Sequence, residues 1–325
     1  MTHAIRIHAP GGAEALRWDE VEVGDPGEGE VCLSQTAVGL NYIDVYQRSG
    51  LYPLPAMPAV LGMEAAGRVE AVGPGVTELA PGDRVAYASP PVGAYAEARL
   101  MPADRLVKLP DGISDQQAAA MMLQGMTVHY LIRRTYRVEA GDTVLFHAAA
   151  GGVGLIACQW LKHLGVTTIG TVGSEEKAAL AKAHGCDHTI LYRSESVPGR
   201  VRELTGGAGV PVVYDSVGKD TFEASLDCLA PLGMMVSFGN ASGPLPPFDA
   251  GMLAVRGSLF FTRPSLMTYT AKREDLVESA KDLFDVVGSG AVKIEVNQTY
   301  PLAETAQAHR DLEERKTTGS TVLVP

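Results

Sequence analysis

Residues 143–164 read Thr-Val-Leu-Phe-His-Ala-Ala-Ala-Gly-Gly-Val-Gly-Leu-Ile-Ala-Cys-Gln-Trp-Leu-Lys-His-Leu. The first four residues have the composition of a short buried strand, the middle is rich in glycine and alanine, and the apolar end predicts a helix. The order strand, glycine-rich turn and helix is that of a dinucleotide-binding unit, in which the helix N-terminus presents backbone N–H groups to a pyrophosphate. The motif has alanine in the first glycine position, and its candidate binding residues are Ala149, Gly151, Gly152, Val153 and Gly154. The stretch predicts a site for a nicotinamide or flavin dinucleotide.

The next predicted strand, Val166–Val172, bears on which nucleotide is bound. It ends on Gly173-Ser174, with Lys177 one turn into the following helix. NAD-binding proteins place an acidic side chain here, about 20 residues after the glycines, against the ribose 2′-hydroxyl. A hydroxyl and a cation suit a 2′-phosphate, which a carboxylate would repel. Glu175 and Glu176 weaken this argument, although acids in a first helical turn also favour the helix dipole. We therefore expect NADPH, with NADH as the alternative.

The composition is that of a globular protein of about two domains. The chain has 325 residues, 46% of them hydrophobic, and a formal net charge of −11. This charge argues against nucleic acid as the main partner, because binding phosphates requires a basic surface. No run of 18 apolar residues occurs, and Met1–Ile7 lacks the layout of a signal peptide. We expect a cytoplasmic protein.

Cysteine usage predicts neither disulfides nor a metal. The four cysteines are scattered without a C-x-x-C pair, at Cys32, Cys158, Cys186 and Cys228. This favours buried, reduced thiols. His184, Cys186 and His188 cluster around a glycine in a predicted loop, where solvated histidines and a buried thiol explain them better than a metal site.

The character of the chain changes at Gln116. The residues before it predict a β-rich domain of short strands between Gly and Pro clusters, at Ala4–His8, Val31–Val38, Arg68–Val72, Arg84–Ser89 and Ala94–Ala98. An Ala- and Met-rich helical region then leads into alternating strands and helices, typical of a parallel sheet. Its six strands are predicted at Thr143–Phe146, Val166–Val172, Thr189–Leu191, Val212–Asp215, Met234–Phe238 and Ser258–Phe261, the number in a doubly wound dinucleotide domain. A long helix at Lys272–Val287, a polar segment and a final strand at Ser320–Val324 complete the chain.

Several further segments form a specific set. They are Val-Gly-Leu-Asn-Tyr-Ile-Asp at 38–44, Leu-Gly-Met-Glu-Ala-Ala-Gly at 61–67, Pro-Gly-Asp-Arg-Val at 81–85, the turn at 148–154, Tyr-Asp-Ser-Val-Gly at 214–218 and Thr-Gly-Ser at 318–320. With these segments the chain resembles, from end to end, the zinc-free quinone oxidoreductases of the medium-chain dehydrogenase/reductase superfamily, the group that includes ζ-crystallin. The resemblance implies an α/β protein with a Rossmann doubly wound parallel sheet domain and a chaperonin-10-like β-barrel catalytic domain. The catalytic domain would comprise residues 1–123 and 266–325, and the Rossmann domain residues 124–265.

The resemblance also implies zinc-independent reduction of a quinone by NADPH, with both bound in the cleft between the domains. Zinc alcohol dehydrogenases of the superfamily carry a cysteine near the position of Asn41 and a histidine at the position of Met63. Glu64 remains, but zinc requires about four ligands, so one carboxylate cannot hold it. Catalysis would then depend on placing the nicotinamide C4 hydride beside an electron-poor acceptor.

The candidate catalytic residues follow from the same resemblance. Tyr46 and Tyr52 would orient the quinone, because a phenol stays protonated at neutral pH and can donate to an oxygen that gains charge. Asn41 and Thr127 would line the nicotinamide end. Asp44 lies in the same segment, where the alternative to a catalytic role is a helix cap, since solvent can deliver the proton. For both tyrosines the alternative is packing.

The resemblance distributes the remaining cofactor contacts along the chain. Gly173, Ser174, Lys177 and Tyr192 would bind the adenosine 2′-phosphate and adenine. The ribose and nicotinamide side would be formed by Phe238, Gly239 and Asn240, with Ser216, Val217 and Phe261 near them. Arg315 would lie near the pyrophosphate, with Lys316 as the alternative if the register slips. His147 is expected to be a strand-end residue and not a proton donor.

Partners and competing functions complete the predictions. An apolar strand at 258–262, if it lies at the sheet edge, would be an aggregation hazard unless it is paired, so we expect a homodimer through the Rossmann edge strand. The nearest alternative function is NADPH-dependent reduction of an enoyl or alkenal double bond, which requires the same hydride geometry. The other alternative is a non-catalytic NADPH-binding protein with a structural or RNA-binding role. The acidic net charge argues against the RNA-binding role.

Overall fold

The structure is a computed structural model that describes residues 2–325. Its strands are β1 (Thr2–Ile7), β2 (Arg17–Val21), β3 (Glu30–Leu40), β4 (Ala59–Val60), β5 (Glu64–Val72), β6 (Arg84–Ala88), β7 (Ala98–Pro102), β8 (Val107–Lys108), β9 (Thr143–Phe146), β10 (Thr167–Val172), β11 (His188–Leu191), β12 (Val210–Asp215), β13 (Leu229–Ser237), β14 (Phe260–Thr262), β15 (Val296–Pro301) and β16 (Ser320–Val324). Its α-helices are α1 (Tyr42–Arg48), α2 (Asp115–Ala119), α3 (Met122–Tyr130), α4 (Gly152–His163), α5 (Glu175–Ala183), α6 (Val197–Leu204), α7 (Phe222–Cys228), α8 (Gly251–Val255), α9 (Leu266–Tyr269), α10 (Arg273–Gly288) and α11 (Thr305–Glu313). Within residues 2–325, no helix is both long enough and apolar enough to cross a membrane.

The chain divides into two compact units. Unit 1 contains the residues up to 126 together with 270–288 and 294–325, and unit 2 contains 127–269 and 289–293. Each unit has its own buried apolar cluster, one among the strands of unit 1 and one around the sheet of unit 2.

Unit 2 is built on a six-stranded sheet in the order β11-β10-β9-β12-β13-β14, with every neighbouring pair parallel. This confirms the doubly wound sheet that the alternating pattern predicts, with the strand order reversing between β9 and β12. Leu145 on β9 lies in register with Ile169 and Val213 on its two neighbours, and all three side chains are fully buried. Central strands are apolar at such positions because helices cover both faces of the sheet.

Unit 1 contains a seven-stranded sheet in the order β15-β16-β3-β5-β6-β8, with β7 also paired to β3, and a three-stranded sheet in the order β2-β1-β4. The long strand β3 leads directly into Asn41 and α1. At Gly39, a Cβ would lie 2.3 Å from Glu64 Oε2 and 2.3 Å from the Ala119 carbonyl oxygen, so only glycine fits there. The close approach at this position brings Glu64 against the end of β3.

Several predicted elements differ from the structure. The strand expected at Ala94–Ala98 begins at Ala98, because residues 94–97 form loop hydrogen bonds such as Tyr95 N–H to Leu61 O at 2.8 Å. The polar segment after α10, in which no helix or strand is named from the sequence, contains β15 and α11. Cys32 is half-buried, whereas the other three cysteines are buried as expected, and all four are free thiols.

Candidate active site

The end of β3 and the start of α1 hold most of the predicted catalytic residues. The Asn41 backbone N–H donates to Asp44 Oδ2 at 2.9 Å, so Asp44 closes the first turn of α1. Tyr46 lies two residues further along this helix and is 8% exposed. Its ring contacts that of Tyr52 edge to face at 5.2 Å, and the Tyr52 N–H donates to the Tyr46 carbonyl at 3.0 Å. The two tyrosines are therefore neighbours.

Asn41 is held through its side chain as well. Its Nδ2 donates to Glu64 Oε2 at 2.7 Å, and Glu64 Oε1 accepts from the Leu123 N–H at 2.7 Å. Burial raises the pKa of Glu64 to about 8, although these hydrogen bonds favour its charged form. The nearby charge of Asp44 adds to the rise. Gln124 Nε2 lies 3.4 Å from Asn41 Oδ1. From the sequence, Glu64 is expected only as a remnant of a metal site, whereas in the structure it fixes the side-chain amide of Asn41.

Asp44 ends a chain of buried hydrogen bonds that sequence analysis missed. Tyr95 Oη lies 2.8 Å from Asp44 Oδ2 and 3.0 Å from His309 Nε2, and Arg48 Nη1 lies 3.0 Å from His309 Nδ1. Arg48 also bonds to Glu313 at 2.8 Å. Burial, together with the charge of Arg48, lowers the pKa of His309 to about 3.

The direction of this chain follows from its members. Arg48 can only donate, so Nδ1 of the neutral His309 accepts and its Nε2 carries the hydrogen. Tyr95 then accepts from His309 and donates to Asp44. Burial nevertheless raises the pKa of Asp44 to about 7, although the bonds from Asn41 and Tyr95 favour its charged form.

In unit 2, the glycine-rich turn joins β9 to α4. Gly151 is the N-cap of α4 without any side-chain cap, and the Leu155 N–H donates to its carbonyl at 2.8 Å. A Cβ on Gly154 would lie 2.4 Å from the Ala148 carbonyl oxygen, so the turn packs against the helix too closely for a side chain. The amides of Gly152, Val153 and Gly154 precede the first bond within the helix, in the position that suits an anion.

The end of β10 brings together the predicted 2′-phosphate residues. Ser174 is the N-cap of α5, and its Oγ accepts from the Lys177 N–H at 3.3 Å. A Cβ on Gly173 would lie 2.8 Å from the Tyr192 hydroxyl, so Tyr192 covers this glycine. Serine can accept the capping bond and still donate its own hydrogen. The hydroxyl, cation and helix N-terminus fit a phosphate group.

The ends of β12 and β13 gather another predicted group. A Cβ on Gly239 would lie 2.3 Å from the Ser216 carbonyl oxygen, and the Ser242 N–H donates to the Val217 carbonyl at 2.8 Å. The ring of Phe238 packs on Phe146 with centroids 5.9 Å apart. Asn240 accepts from the Gly243 N–H at 2.9 Å through its carbonyl.

The last three predicted residues have different surroundings. Phe261 packs its ring against Phe222 and Phe248, in an aromatic cluster that extends the core of unit 2. Thr127 is buried on α3 and is a hydrogen-bond partner of Tyr130. Arg315 belongs to unit 1, where its charge opposes the rise that burial causes in the pKa of Tyr42.

Comparisons with known proteins agree with this architecture. Residues 27–111 match the model of the alcohol dehydrogenase GroES-like domain, and residues 152–288 that of the zinc-binding dehydrogenase family. A quinone oxidoreductase of Pseudomonas aeruginosa is 55% identical over 325 residues, and both chains are covered in full. A 2-haloacrylate reductase of a Burkholderia species is 49% identical over 332 residues, which covers 100% of this chain and 99% of the other.

The solved structures give the same result. The crystal structure of the Escherichia coli quinone oxidoreductase complexed with NADPH superimposes with a TM-score of 0.98 at 50% identity, and both chains are covered in full. The six-stranded parallel sheet, the glycine-rich turn and the full-length identities all describe one family. The chain belongs to the quinone oxidoreductases of the medium-chain dehydrogenase/reductase superfamily.

Proposed function

We propose that this protein is an NADPH-dependent quinone reductase that operates without zinc. The observation that carries the proposal is the full-length similarity to quinone oxidoreductases, including one whose structure is described as complexed with NADPH. When bound, NADPH supplies a hydride from its nicotinamide C4. The protein's own residues then have to hold the nucleotide, orient the acceptor and stabilise the charge that develops on the acceptor oxygen.

Two groups in unit 2 would hold the nucleotide. The backbone amides of Gly152, Val153 and Gly154 would bind the pyrophosphate at the positive end of α4. Ser174 and Lys177 would bind the 2′-phosphate, because a cation and a hydroxyl at a helix N-terminus favour a doubly charged group. The second group would give the preference for NADPH over NADH.

The residues around Asn41 support the zinc-free part of the proposal. The Asn41 amide nitrogen donates to Glu64, and an amide nitrogen that donates has no lone pair for a metal. Both carboxylate oxygens of Glu64 accept hydrogen bonds from N–H donors. The donor set at this position therefore fits a hydrogen-bonded pair better than a zinc ion, which requires about four N, S or O ligands.

The tyrosine pair would orient the quinone. A phenol placed against a carbonyl oxygen donates a hydrogen bond that strengthens as hydride transfer gives that oxygen negative charge. Tyr46 is fixed by its position on α1 and by its ring contact with Tyr52. With no metal to polarise the acceptor, these donors and the alignment of the acceptor with the hydride would supply most of the catalysis.

Steady-state oxidation of NADPH, and separately of NADH, tests this proposal on protein treated with a chelator. The paired acceptors are 1,4-benzoquinone and a 2-alkenal. We expect turnover with the quinone and NADPH, weaker turnover with NADH, and no loss of rate after metal removal. A rate that disappears with the chelator and returns with zinc would contradict the zinc-free mechanism.

One observation favours a second candidate. The relative from Burkholderia, 49% identical over the full length, is a 2-haloacrylate reductase. Reduction of a carbon–carbon double bond conjugated to a carboxylate uses the same hydride donor, and only the acceptor pocket has to differ. Adding 2-chloroacrylate to the same assay separates the two functions. If the second candidate is right, NADPH oxidation will occur with the acrylate and not with the quinone.

We also propose a homodimer formed through β14. This strand is the last in the six-stranded sheet, so one of its edges has no neighbouring strand within the described chain. Phe260 on this strand is 57% exposed. Pairing two copies of β14 would satisfy the open backbone groups and cover the apolar side chain.

A further inference from the structure

A buried histidine stands next to the glycine-rich turn and has no role in the function proposed above. His147 follows β9 and is 1% exposed. Its two ring nitrogens each meet a buried hydroxyl: Nδ1 lies 2.9 Å from Thr171 Oγ1, and Nε2 lies 3.0 Å from Ser225 Oγ. The imidazole therefore joins the end of β9 to β10 on one side and to α7 on the other.

Ser225 fixes the direction of these hydrogen bonds. Its Oγ lies 3.0 Å from Asp215 Oδ2 and 2.8 Å from the Thr221 carbonyl oxygen. A carboxylate and a carbonyl can only accept, so the single hydroxyl hydrogen of Ser225 goes to one of them. The contact with His147 must then be a donation from its Nε2–H. Burial lowers the pKa of His147, against the opposing charge of Asp215, so the ring is neutral and its Nδ1 is an acceptor.

The acceptor nitrogen in turn orients Thr171. The Thr171 hydroxyl donates to His147 Nδ1, which leaves its oxygen to accept from the Ala148 N–H at 3.3 Å. Ala148 has φ of 55°, in the left-handed region that is unfavourable for a residue with a Cβ. The Ala148 carbonyl also accepts from the Gly151 N–H at 2.9 Å. The turn is thus held in an unfavourable conformation from both sides of one alanine.

We propose that His147, acting through Thr171, is a positioning residue that holds the glycine-rich turn in the shape that binds the dinucleotide. The proposal rests on the function proposed above, in which this turn binds the pyrophosphate. The pyrophosphate is common to NADPH and NADH. Loss of the hydrogen-bond chain should therefore weaken both cofactors by the same factor, whereas changes at Ser174 should affect only NADPH.

The test is a titration of NADPH and NADH by nicotinamide fluorescence in the wild-type protein and two pairs of variants. Thr171→Val removes the hydroxyl and Thr171→Ser keeps it. His147→Phe removes both ring nitrogens, and His147→Asn restores an amide oxygen near the position of Nδ1. We expect Thr171→Val and His147→Phe to raise the Kd of both cofactors by about fivefold to tenfold, the range for one hydrogen bond that orders a turn. Thr171→Ser and His147→Asn should stay within about twofold of the wild type.

The Km for the quinone and the thermal midpoint of every variant complete the experiment. An unchanged Km for the quinone beside a raised Kd for both cofactors supports a role in positioning the turn. Thermal midpoints that fall while the Kd stays constant would mean that the hydrogen bonds of His147 and Thr171 only stabilise the core. That result would overturn the inference. Failure of Thr171→Ser to restore binding would also overturn it. If the wild-type protein itself does not bind NADPH, the proposed function fails first, and the same titration shows this before any variant is compared.

Discussion

The side-chain amide of Asn41 and the carboxyl group of Glu64 form a 2.7 Å hydrogen bond in the interior of unit 1. Asn41 is 7% exposed and Glu64 is fully buried. The pair links the residue that follows β3 to the first residue of β5, and it places an ionisable group where charge is costly. The first prediction follows from that cost.

Replacing Glu64 with glutamine should change how stability depends on pH. The pKa of Glu64 is about 8 in the folded protein, compared with 4.5 for the unperturbed group. Between these values the folded state binds more protons than the unfolded state, so the free energy of unfolding falls as the pH rises through this range. We expect the wild-type protein to lose about 3 kcal/mol more than Glu64→Gln between pH 5 and pH 8, measured by urea unfolding. Glu28→Gln, at an exposed position, is the control and should follow the wild type. Parallel slopes for wild type and Glu64→Gln would show that Glu64 is ionised throughout.

Removing the phenolic hydroxyls should weaken quinone turnover specifically. We expect Tyr46→Phe and Tyr52→Phe each to lower kcat/Km for 1,4-benzoquinone by about tenfold, the effect of one donor to a developing oxyanion, with the Km for NADPH unchanged. Tyr300→Phe is the control, because that phenol bonds to Asp311 at 2.9 Å outside the predicted site. If both variants keep full activity with the quinone, the tyrosines are packing residues.

The preference for NADPH should depend on the N-cap of α5. Ser174→Ala and Lys177→Ala should each raise the Km for NADPH by about tenfold or more, because each removes a hydrogen bond or an ion pair to a charged phosphate. The Km for NADH should stay constant. Lys182→Ala, on the exposed side of the same helix, controls for the general loss of positive charge. Equal changes with the two cofactors would locate the 2′-phosphate elsewhere.

The two glycines of the turn should differ in their tolerance of alanine. A Cβ at Gly154 would lie 2.4 Å from the Ala148 carbonyl oxygen and 2.7 Å from Ala149 Cα, whereas a Cβ at Gly151 would meet only the Ala148 oxygen at 3.2 Å. We expect Gly154→Ala to cost about 2 kcal/mol of stability and to weaken NADPH binding, because backbone has to move. Gly151→Ala should cost less than about 1 kcal/mol. Thermal unfolding with and without NADPH measures the stability and the cofactor binding of each variant. A loss of stability in Gly154→Ala no larger than that in Gly151→Ala would show that the turn is not closely packed at Gly154.

A charge on the edge strand should separate the proposed dimer. Phe260→Glu should shift the protein from dimer to monomer in sedimentation velocity, because a carboxylate cannot be buried unpaired between two copies of β14. Val255→Glu is the matched control, since Val255 is 87% exposed on α8. A wild-type protein that sediments as a monomer would rule out the proposed interface.

The sheet of unit 2 could be predicted because its strands are short apolar runs bounded by glycine and polar residues. The composition of β9 alone predicts Thr143–Phe146, and the structure has the same bounds. Parallel strands that are buried on both faces have such apolar runs, and these runs can be recognised in a single amino-acid sequence. The positions of Tyr46 beside Tyr52 and of Ser174 at a helix N-cap agree with the grouping that the resemblance implies, while their roles in catalysis and binding stay predictions.

Elements that depend on distant partners were not predictable. β15 has the polar sequence Val-Asn-Gln-Thr-Tyr-Pro and is a strand because it pairs with β16. α11 is also polar, and its buried His309 meets Arg48 from 261 residues away and Tyr95 from 214 residues away. The periodicity of a sequence predicts which face of an element is apolar, but it does not predict which buried polar groups form hydrogen bonds with each other.

The position of β16 between β15 and β3 bears on the order of folding during synthesis. Residues 321–323 pair with residues 38–40 of β3, so the seven-stranded sheet of unit 1 cannot be complete until β16 has been synthesised. Unit 2 instead contains the continuous segment 127–269, with only 289–293 added. We therefore expect the nucleotide-binding unit to fold before β16 pairs with β3, so that the sheet of unit 1 is the last part of the enzyme to form.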